Sequence, residues 1–422
     1  MRLIVQKYGG TSVANPERIR NVAERIIETQ REDCRVVAII SAMAGVTDEL
    51  IKLAQETSPD PDKREFDVLL ATGERAACAL TAMAVNALGA KAISLTGADA
   101  GILTDQMHTN ARIANVSPKQ IQELLADDYI VIVAGFQGQS AEGETTTLGR
   151  GGSDLTAIAL AGALNADACQ IFTDVDGVFT CDPRVVMEAK KLDEIAYDEL
   201  LEMAGAGSKV MQSRAVEFAK KFGVEFEVRS SLKRDVGTIA KEETANMEDV
   251  VVRGVSIDRK QAKLTVDDVR DEPGVAGRIF STIAAANIVV DMIVQSVSEH
   301  GTTDLSFTIH ENDLDFARKL LEPVVKEVKA AGLIAKKGVA KLSVVGIGMR
   351  SHSGVAARLF DCLGKAGINI QLISTSEIKI AVVIDENDAE RAAQLTHAEF
   401  GLAAFAPASA TTHPLRIKIV NS

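Results

Sequence analysis

The sequence contains no tryptophan, and aromatic residues make up only 4% of it. A carbohydrate cleft or a base-stacking surface therefore has little to be built from. Positive charge is in deficit as well: the formal net charge of −13 disfavours broad contact with nucleic acid or an anionic membrane. An anionic small molecule is still allowed, because a phosphate site needs only a local cluster of donors. Five cysteines (Cys34, Cys78, Cys169, Cys181 and Cys362) stand far apart, in odd number and without paired spacing. With no signal peptide evident, they predict free thiols and a cytoplasmic protein. Six histidines show no metal-ligand spacing, and no Ser/His/Asp or Cys/His set occurs. The nucleotide-loop pattern Gly-x4-Gly-Lys-Ser/Thr is missing. Uninterrupted apolar runs, such as 129–134, are far too short to span a bilayer.

What is present suits a multidomain globular chain. The 422 residues are 46% hydrophobic and 25% charged, enough for two or three cores. In the first half, apolar strands alternate with helices. Strands are expected at 3–6, 36–40, 92–95, 129–134 and 168–172. One helix starts with Asn15 as cap and Pro16 at its first position, its apolar face repeating at Ile19, Val22, Ala23, Ile26 and Ile27. Another is expected over about 154–164. This alternation predicts an α/β sandwich with a largely parallel sheet, whose ligands sit at the carboxyl ends of the strands.

The polar stretch 241–249 reads as a linker. Beyond it the sequence repeats: Gly274-Val275-Ala276-Gly277-Arg278-Ile279-Phe280 returns 80 positions later as Gly354-Val355-Ala356-Ala357-Arg358-Leu359-Phe360. The register persists through Ala286/Ala366, Ile288/Ile368 and Ile293/Ile373. Two copies of one βαβ-type unit can pack side by side and build matching sites, or can be a structural duplication that binds nothing. Gly346-Ile347-Gly348 mimics the start of a dinucleotide fingerprint, but Ser351 stands where a third glycine belongs and the segment is part of the repeat.

Gly149-Arg150-Gly151-Gly152-Ser153-Asp154 is the most informative run. Three glycines let the backbone approach a ligand, the following helix offers its amides, and Arg150 adds a fork for a carboxylate. The plain alternative is a tight turn capped by Ser153 or Asp154. Lys7-Tyr8-Gly9-Gly10 reads as a loop after the first strand, where a lysine beside glycines suits a moving phosphoryl group. Thr173-Asp174-Val175-Asp176-Gly177 is ordinary turn chemistry, placed where a nucleotide could border it. Glu74 could orient an ammonium group or could simply be solvated. The lack of a general base fits one reaction type. A carboxylate acceptor, with a pKa of about 4, is already ionised at neutral pH and needs only alignment with a phosphate and cancelled repulsion.

Together these segments resemble the aspartate kinases of the amino-acid-kinase family, across nearly the whole chain to about residue 402. The matching stretches are 7–12, 41–43, Thr72-Gly73-Glu74, 134–138, 147–154, 173–184 and Gly207-Ser208-Lys209. The tandem tail resembles paired ACT units, including Gln295, 301–304 and 373–377. The resemblance implies a three-layer α/β/α kinase domain over 1–245, a linker and contributed strand over 246–262, ferredoxin-like ACT units at 263–338 and 339–405, and a tail over 406–422 whose composition suits disorder.

By the matched positions, the resemblance implies ATP-dependent conversion of L-aspartate to 4-phospho-L-aspartate, with Mg2+. Lys7, Asp154 and Lys209 are the implied catalytic residues. Ser41, Thr47, Glu74, Arg150, Gly151 and Ser153 line the implied aspartate pocket. Lys7, Gly9, Gly10, Thr173, Asp174, Phe179, Asp182, Arg184 and Lys209 border the implied nucleotide. Phe179 departs from the tyrosine common in the family, keeping a flat contact and losing a hydroxyl. Implied effector positions, for lysine, threonine or both, are Asp271, Gly274, Ala276, Gln295, Asn369 and Ile370. The resemblance further implies a homo-oligomer through the ACT units. Met247 could start a shorter subunit, since 241–243 can be encoded by a purine-rich run; otherwise it is a methionine in a charged linker. Competing readings are a glutamate-type kinase of the same fold and a catalytically silent ACT sensor.

Overall fold

A computed structural model describes residues 1–205, 211–244, 251–297, 301–350, 352 and 354–403. Lys209, Met247 and the tail 406–422 lie outside the described residues.

The first half builds a sheet from β1 (Arg2–Tyr8), β2 (Cys34–Ile40), β3 (Ala92–Leu95), β6 (Ile130–Ala134), β9 (Ala168–Thr173), β10 (Glu194–Ala196), β11 (Phe226–Ser230) and β12 (Thr238–Lys241). Its order is β10-β12-β11-β9-β1-β2-β6-β3, with every pair parallel except β11 with β12. A small second sheet holds β4 (Ile102–Thr104), β5 (Ile113–Val116), β7 (Gln137–Ser140) and β8 (Thr145–Thr147).

Successive side chains of a strand face opposite ways, so each central strand feeds two cores. Val5, Val37, Ile39, Val131 and Val133 pack with α5 (Gly152–Leu164) and α7 (Ser213–Phe222). Tyr8, Val36, Ala38, Ile40 and Ile132 pack with α1 (Pro16–Arg31) and α3 (Lys63–Ala87). The result is the expected three-layer sandwich. Helix α1 starts as read, with the Asn15 side chain accepting from Arg18 N and Pro16 at the first position. Its five apolar face positions are all buried, with Ile19, Val22, Ile26 and Ile27 each contributing about 2 kcal/mol of hydrophobic stabilisation and Ala23 less than about 1 kcal/mol. Helices α2 (Val46–Thr57), α4 (Lys119–Ala126) and α6 (Tyr197–Gly205) also belong to this half. Helix α3 is long and apolar enough to cross a bilayer, but half of its apolar window is buried in the fold, and it also buries Asp67 and Glu74.

The second half forms one antiparallel six-stranded sheet from β13 (Gly254–Arg270), β14 (Val290–Val297), β15 (Thr302–His310), β16 (Gly332–Val345), β17 (Leu372–Thr375) and β18 (Lys379–Asp385). Strands β13 and β16 run through both copies of the repeat: 254–258 pair with 341–345, and 261–267 pair with 332–339. Helices α8 (Val275–Ala285) and α9 (Leu314–Glu327) cover one copy, and α10 (Val355–Lys365) and α11 (Ala389–Glu399) the other. Gly274 and Gly354 occupy the same left-handed position before α8 and α10, at φ +96° and +99°. The repeat is thus a repeat of structure.

Candidate active site

The carboxyl edge of the main sheet is stitched strand to strand. Gly9 N donates to Phe172 O at 3.2 Å, Ser41 N to Tyr8 O at 3.1 Å, and Gly135 N to Ile40 O at 3.0 Å. Lys7 and Tyr8, expected in a loop, belong to β1, because β2 and β9 extend to the same level and pair with them. Strand geometry fixes the lysine's direction. Its Nζ lies 2.6 Å from Asp154 Oδ1 in the first turn of α5, each side chain 11% exposed.

Neither Ser153 nor Asp154 caps that helix. The cap residue is Gly151, with no side-chain cap hydrogen bond, so the turn-and-cap alternative fails here. Gly149 and Gly151 have φ +76° and +71°, a region costly for any residue with a Cβ. A Cβ on Gly151 would lie 1.7 Å from Gln212 Cγ. Ser153 is buried against Gly135, and Arg150 is exposed just ahead of the helix.

Glu74 is buried on α3 and accepts from Ala42 N through Oε1 at 3.2 Å, while Oε2 is buried without a hydrogen-bond partner. Loss of solvent pushes its pKa up to about 7, against the opposing pull of the Ala42 amide. The 42–46 turn it supports also touches the glycine loop, where Ala44 N donates to Gly10 O at 3.2 Å. Ser41 and Thr47, both half-buried, flank that turn. The structure therefore gathers Lys7, Gly9, Gly10, Ser41, Thr47, Glu74 and Asp154 along one edge, with 149–153 beside them.

The nucleotide candidates divide. Thr173 ends β9, its hydroxyl 3.2 Å from Asp174 Oδ1 and its carbonyl accepting from Ser231 N at 2.8 Å. Phe179 is half-buried and bridges Lys191. Asp182 and Arg184 instead close on each other in a two-pronged ion pair, 2.7 Å at its shortest, which holds the Asp182 carboxyl below its usual range. Their segment packs against the second half, where Val255 N donates to Thr180 O at 2.7 Å and Gln394 Nε2 to Val185 O at 3.0 Å.

Four effector candidates converge. Asp271, Gly274, Ala276 and Gln295 line one cavity of about 440 Å³ with Arg270 and Thr303. Asn369 and Ile370 belong to the other copy and do not line it.

Some residues of this region carry no linear signal. Phe136 sits at φ +68°, unusual for a bulky residue, with its amide on Thr156 Oγ1. Arg25, almost fully buried, donates to the carbonyls of Ser230, Ser231 and Lys233 and lies over the Phe172 ring. Arg214 donates to Asn110 Oδ1 and to the carbonyls of Leu148 and Ala111.

Comparison with known proteins decides the family. Residues 2–230 match the amino acid kinase family, and 265–323 and 342–400 match the ACT domain. The chain is 50% identical over 405 residues to an aspartate kinase of Pseudomonas fluorescens, covering 95% of this chain and 98% of that one. The chain belongs to the aspartate kinases. An aspartokinase of Corynebacterium glutamicum is 48% identical, over 95% and 97% of the two chains. The solved structure of Escherichia coli aspartokinase III with aspartate and ADP superposes with a TM-score of 0.77 at 26% identity, covering 94% and 99%. This aspartate kinase is accordingly a phosphotransferase with a carboxyl group as acceptor, its kinase domain followed by ACT units.

Proposed function

We propose that the carboxyl edge of the main sheet binds ATP and L-aspartate together and transfers the γ-phosphoryl group to the side-chain carboxylate. The Lys7–Asp154 pair facing the glycine-lined start of α5 carries this reading. A carboxylate oxygen of aspartate attacks the γ-phosphorus as the bond to ADP breaks, and no proton has to be removed. Lys7 and Lys209 neutralise charge on the moving group, with Gly9 and Gly10 leaving it room and Asp154 aiming the lysine. Arg150, Gly151 and Ser153 receive a substrate carboxylate. Glu74 takes the ammonium group, and Ser41 and Thr47 line the pocket between them.

Thr173, Asp174 and Phe179 border the nucleotide, with Asp182 and Arg184 further out. Among the described residues no group of three or more His, Cys, Asp or Glu could hold a metal ion. Mg2+ would enter on the nucleotide's phosphates, where it would supply charge neutralisation. A hydroxamate assay run with aspartate, with glutamate and without ATP tests the reaction: product with glutamate equal to that with aspartate refutes the assignment.

The cavity at Asp271 and Gln295 supports feedback inhibition in the cytoplasm by threonine, lysine or both, in an oligomer joined through the ACT units. An E. coli relative has been solved with lysine and aspartate. We place the kinase domain at 1–245, the linker and contributed strand at 246–262, and the ACT units at 263–338 and 339–405. Met247 is the candidate start of a shorter subunit, which a second band on expression would reveal. If neither amino acid, alone or together, changes the rate, the regulatory reading falls.

A further inference from the structure

Asp67 is a fully buried carboxylate outside the residues assigned to the reaction, and its side chain has no solvent exposure. It lies seven residues before Glu74 on α3, the same helix face about 10 Å away along the axis. Its two oxygens accept four hydrogen bonds from three donors: Thr109 N at 3.0 Å to each oxygen, His108 Nδ1 at 2.8 Å and Thr147 Oγ1 at 2.5 Å. A desolvated carboxylate is costly unless its lone pairs are filled. Here they are filled from two chain segments, 108–109 and Thr147, that lie about 40 and 80 positions after Asp67 in the sequence.

Those two segments form the back of the Arg150 loop. Thr147 ends β8, two residues before Gly149. Ala111 N donates to Thr147 O at 2.9 Å, and Leu148 N donates to Phe136 O at 2.8 Å. A Cβ on Gly149 would meet Asn110 Oδ1 at 2.8 Å and Thr109 O at 3.4 Å, so the 108–110 turn sets how far the loop can retreat. Arg214 closes the other side, donating to Leu148 O and Asn110 Oδ1 at 2.6 Å. The Arg150 side chain is exposed, and among the described residues no hydrogen bond holds its head. Its aim therefore depends on its root.

We propose that Asp67 is a positioning residue for aspartate binding: by fixing Thr147 and the 108–110 turn, it places the root of Arg150 at the substrate carboxylate. This rests on the reading of Arg150 given above. The expected signature is selective. Thr147→Val and Asp67→Asn each raise the KM for aspartate about tenfold, while the KM for ATP changes less than twofold, because the nucleotide edge at Thr173 shares none of these bonds. Thr147→Ser keeps the hydroxyl and restores a near-normal KM.

A purely structural role predicts something else: less active enzyme, a lower apparent kcat and both KM values unchanged. That result, or a parallel rise in both KM values, overturns the proposal. Should Asp67→Asn fail to fold, the Thr147→Val and Thr147→Ser pair decides alone. Arg150→Ala is the companion measurement. If it leaves the KM for aspartate unchanged, the Arg150 reading and this proposal fail together. If it raises that KM while Thr147→Val does not, only the positioning role fails.

Discussion

Lys7 Nζ stands 2.6 Å from Asp154 Oδ1, joining the end of β1 to the first turn of α5 across the carboxyl edge of the main sheet. The carboxylate holds one long, flexible side chain in a single direction, and the strand fixes where that side chain starts. Lys7→Met removes the cation that the proposed reaction aims at the phosphoryl group, and kcat should fall roughly 10²–10³-fold. Asp154→Asn keeps the lysine but not its anchor, so the loss is smaller. Steady-state rates of the two variants measure this, and an ordering in which Asp154→Asn is the worse would contradict the assigned roles.

With Glu74 taking the substrate's ammonium group, as proposed above, aspartate binding should depend on pH. Burial raises its pKa from 4.5 to about 7, so the ionised form that pairs with an ammonium group is depleted as pH falls below 7. The KM for aspartate should rise about tenfold per pH unit well below that value. Glu74→Gln should show a high KM at every pH, with the slope gone. A wild-type KM flat from pH 8 to 6 would remove Glu74 from the aspartate pocket.

The linear motifs were legible because each is short and local. Gly149, Gly151 and Gly152 announce a backbone free to approach a ligand, the helix after them follows from its apolar run, and Lys7 stands next to an apolar stretch that any count finds. Reading Lys7 and Tyr8 as loop failed because glycines mark a turn without saying how far the preceding strand extends, which β2 and β9 settle. Asp67 with Thr147, and Arg25 with the carbonyls of 230–233, join residues 80 or more positions apart. Only the folded topology makes them neighbours. Phe136 was invisible for another reason: a strained backbone on a bulky residue leaves no compositional trace.

The second half contains an ion pair with unequal partners. Lys341 on β16 has a side chain 2% exposed, while Asp291 on β14, bonded to it, is 29% exposed. Removing the aspartate leaves a buried ammonium with the Gly205 carbonyl, 3.4 Å away, as its remaining acceptor among the described residues, at a cost of up to about 3–5 kcal/mol. Removing the lysine leaves a carboxylate that can turn to water. Asp291→Asn should therefore destabilise the chain more than Lys341→Met, by urea unfolding at neutral pH. Equal losses would mean that solvent reaches the lysine.

His397 on α11 ties the ACT half to the segment after Phe179, its Nε2 2.9 Å from Thr180 Oγ1. It is almost wholly buried, and desolvation lowers its pKa below the ordinary 6.5, opposed weakly by the charge of Glu188. The fold thus favours the neutral ring. The sign follows: this contribution to stability is fully present above pH 6.5 and is lost as pH falls from there through the folded-state value. The Thr180 hydroxyl carries one hydrogen and also lies 3.2 Å from Leu402 O, so it can donate to Nε2 only when that nitrogen has no proton; a protonated ring donates to Thr180 and leaves the hydroxyl to Leu402 O. His397→Gln keeps a polar partner for Thr180 but cannot titrate. Its melting temperature should change less than the wild type's between pH 7.5 and 5.5, while the two agree in slope above pH 7. Identical slopes across the whole range would show that the ring is protonated in the folded state without cost, and that this joint does not sense pH.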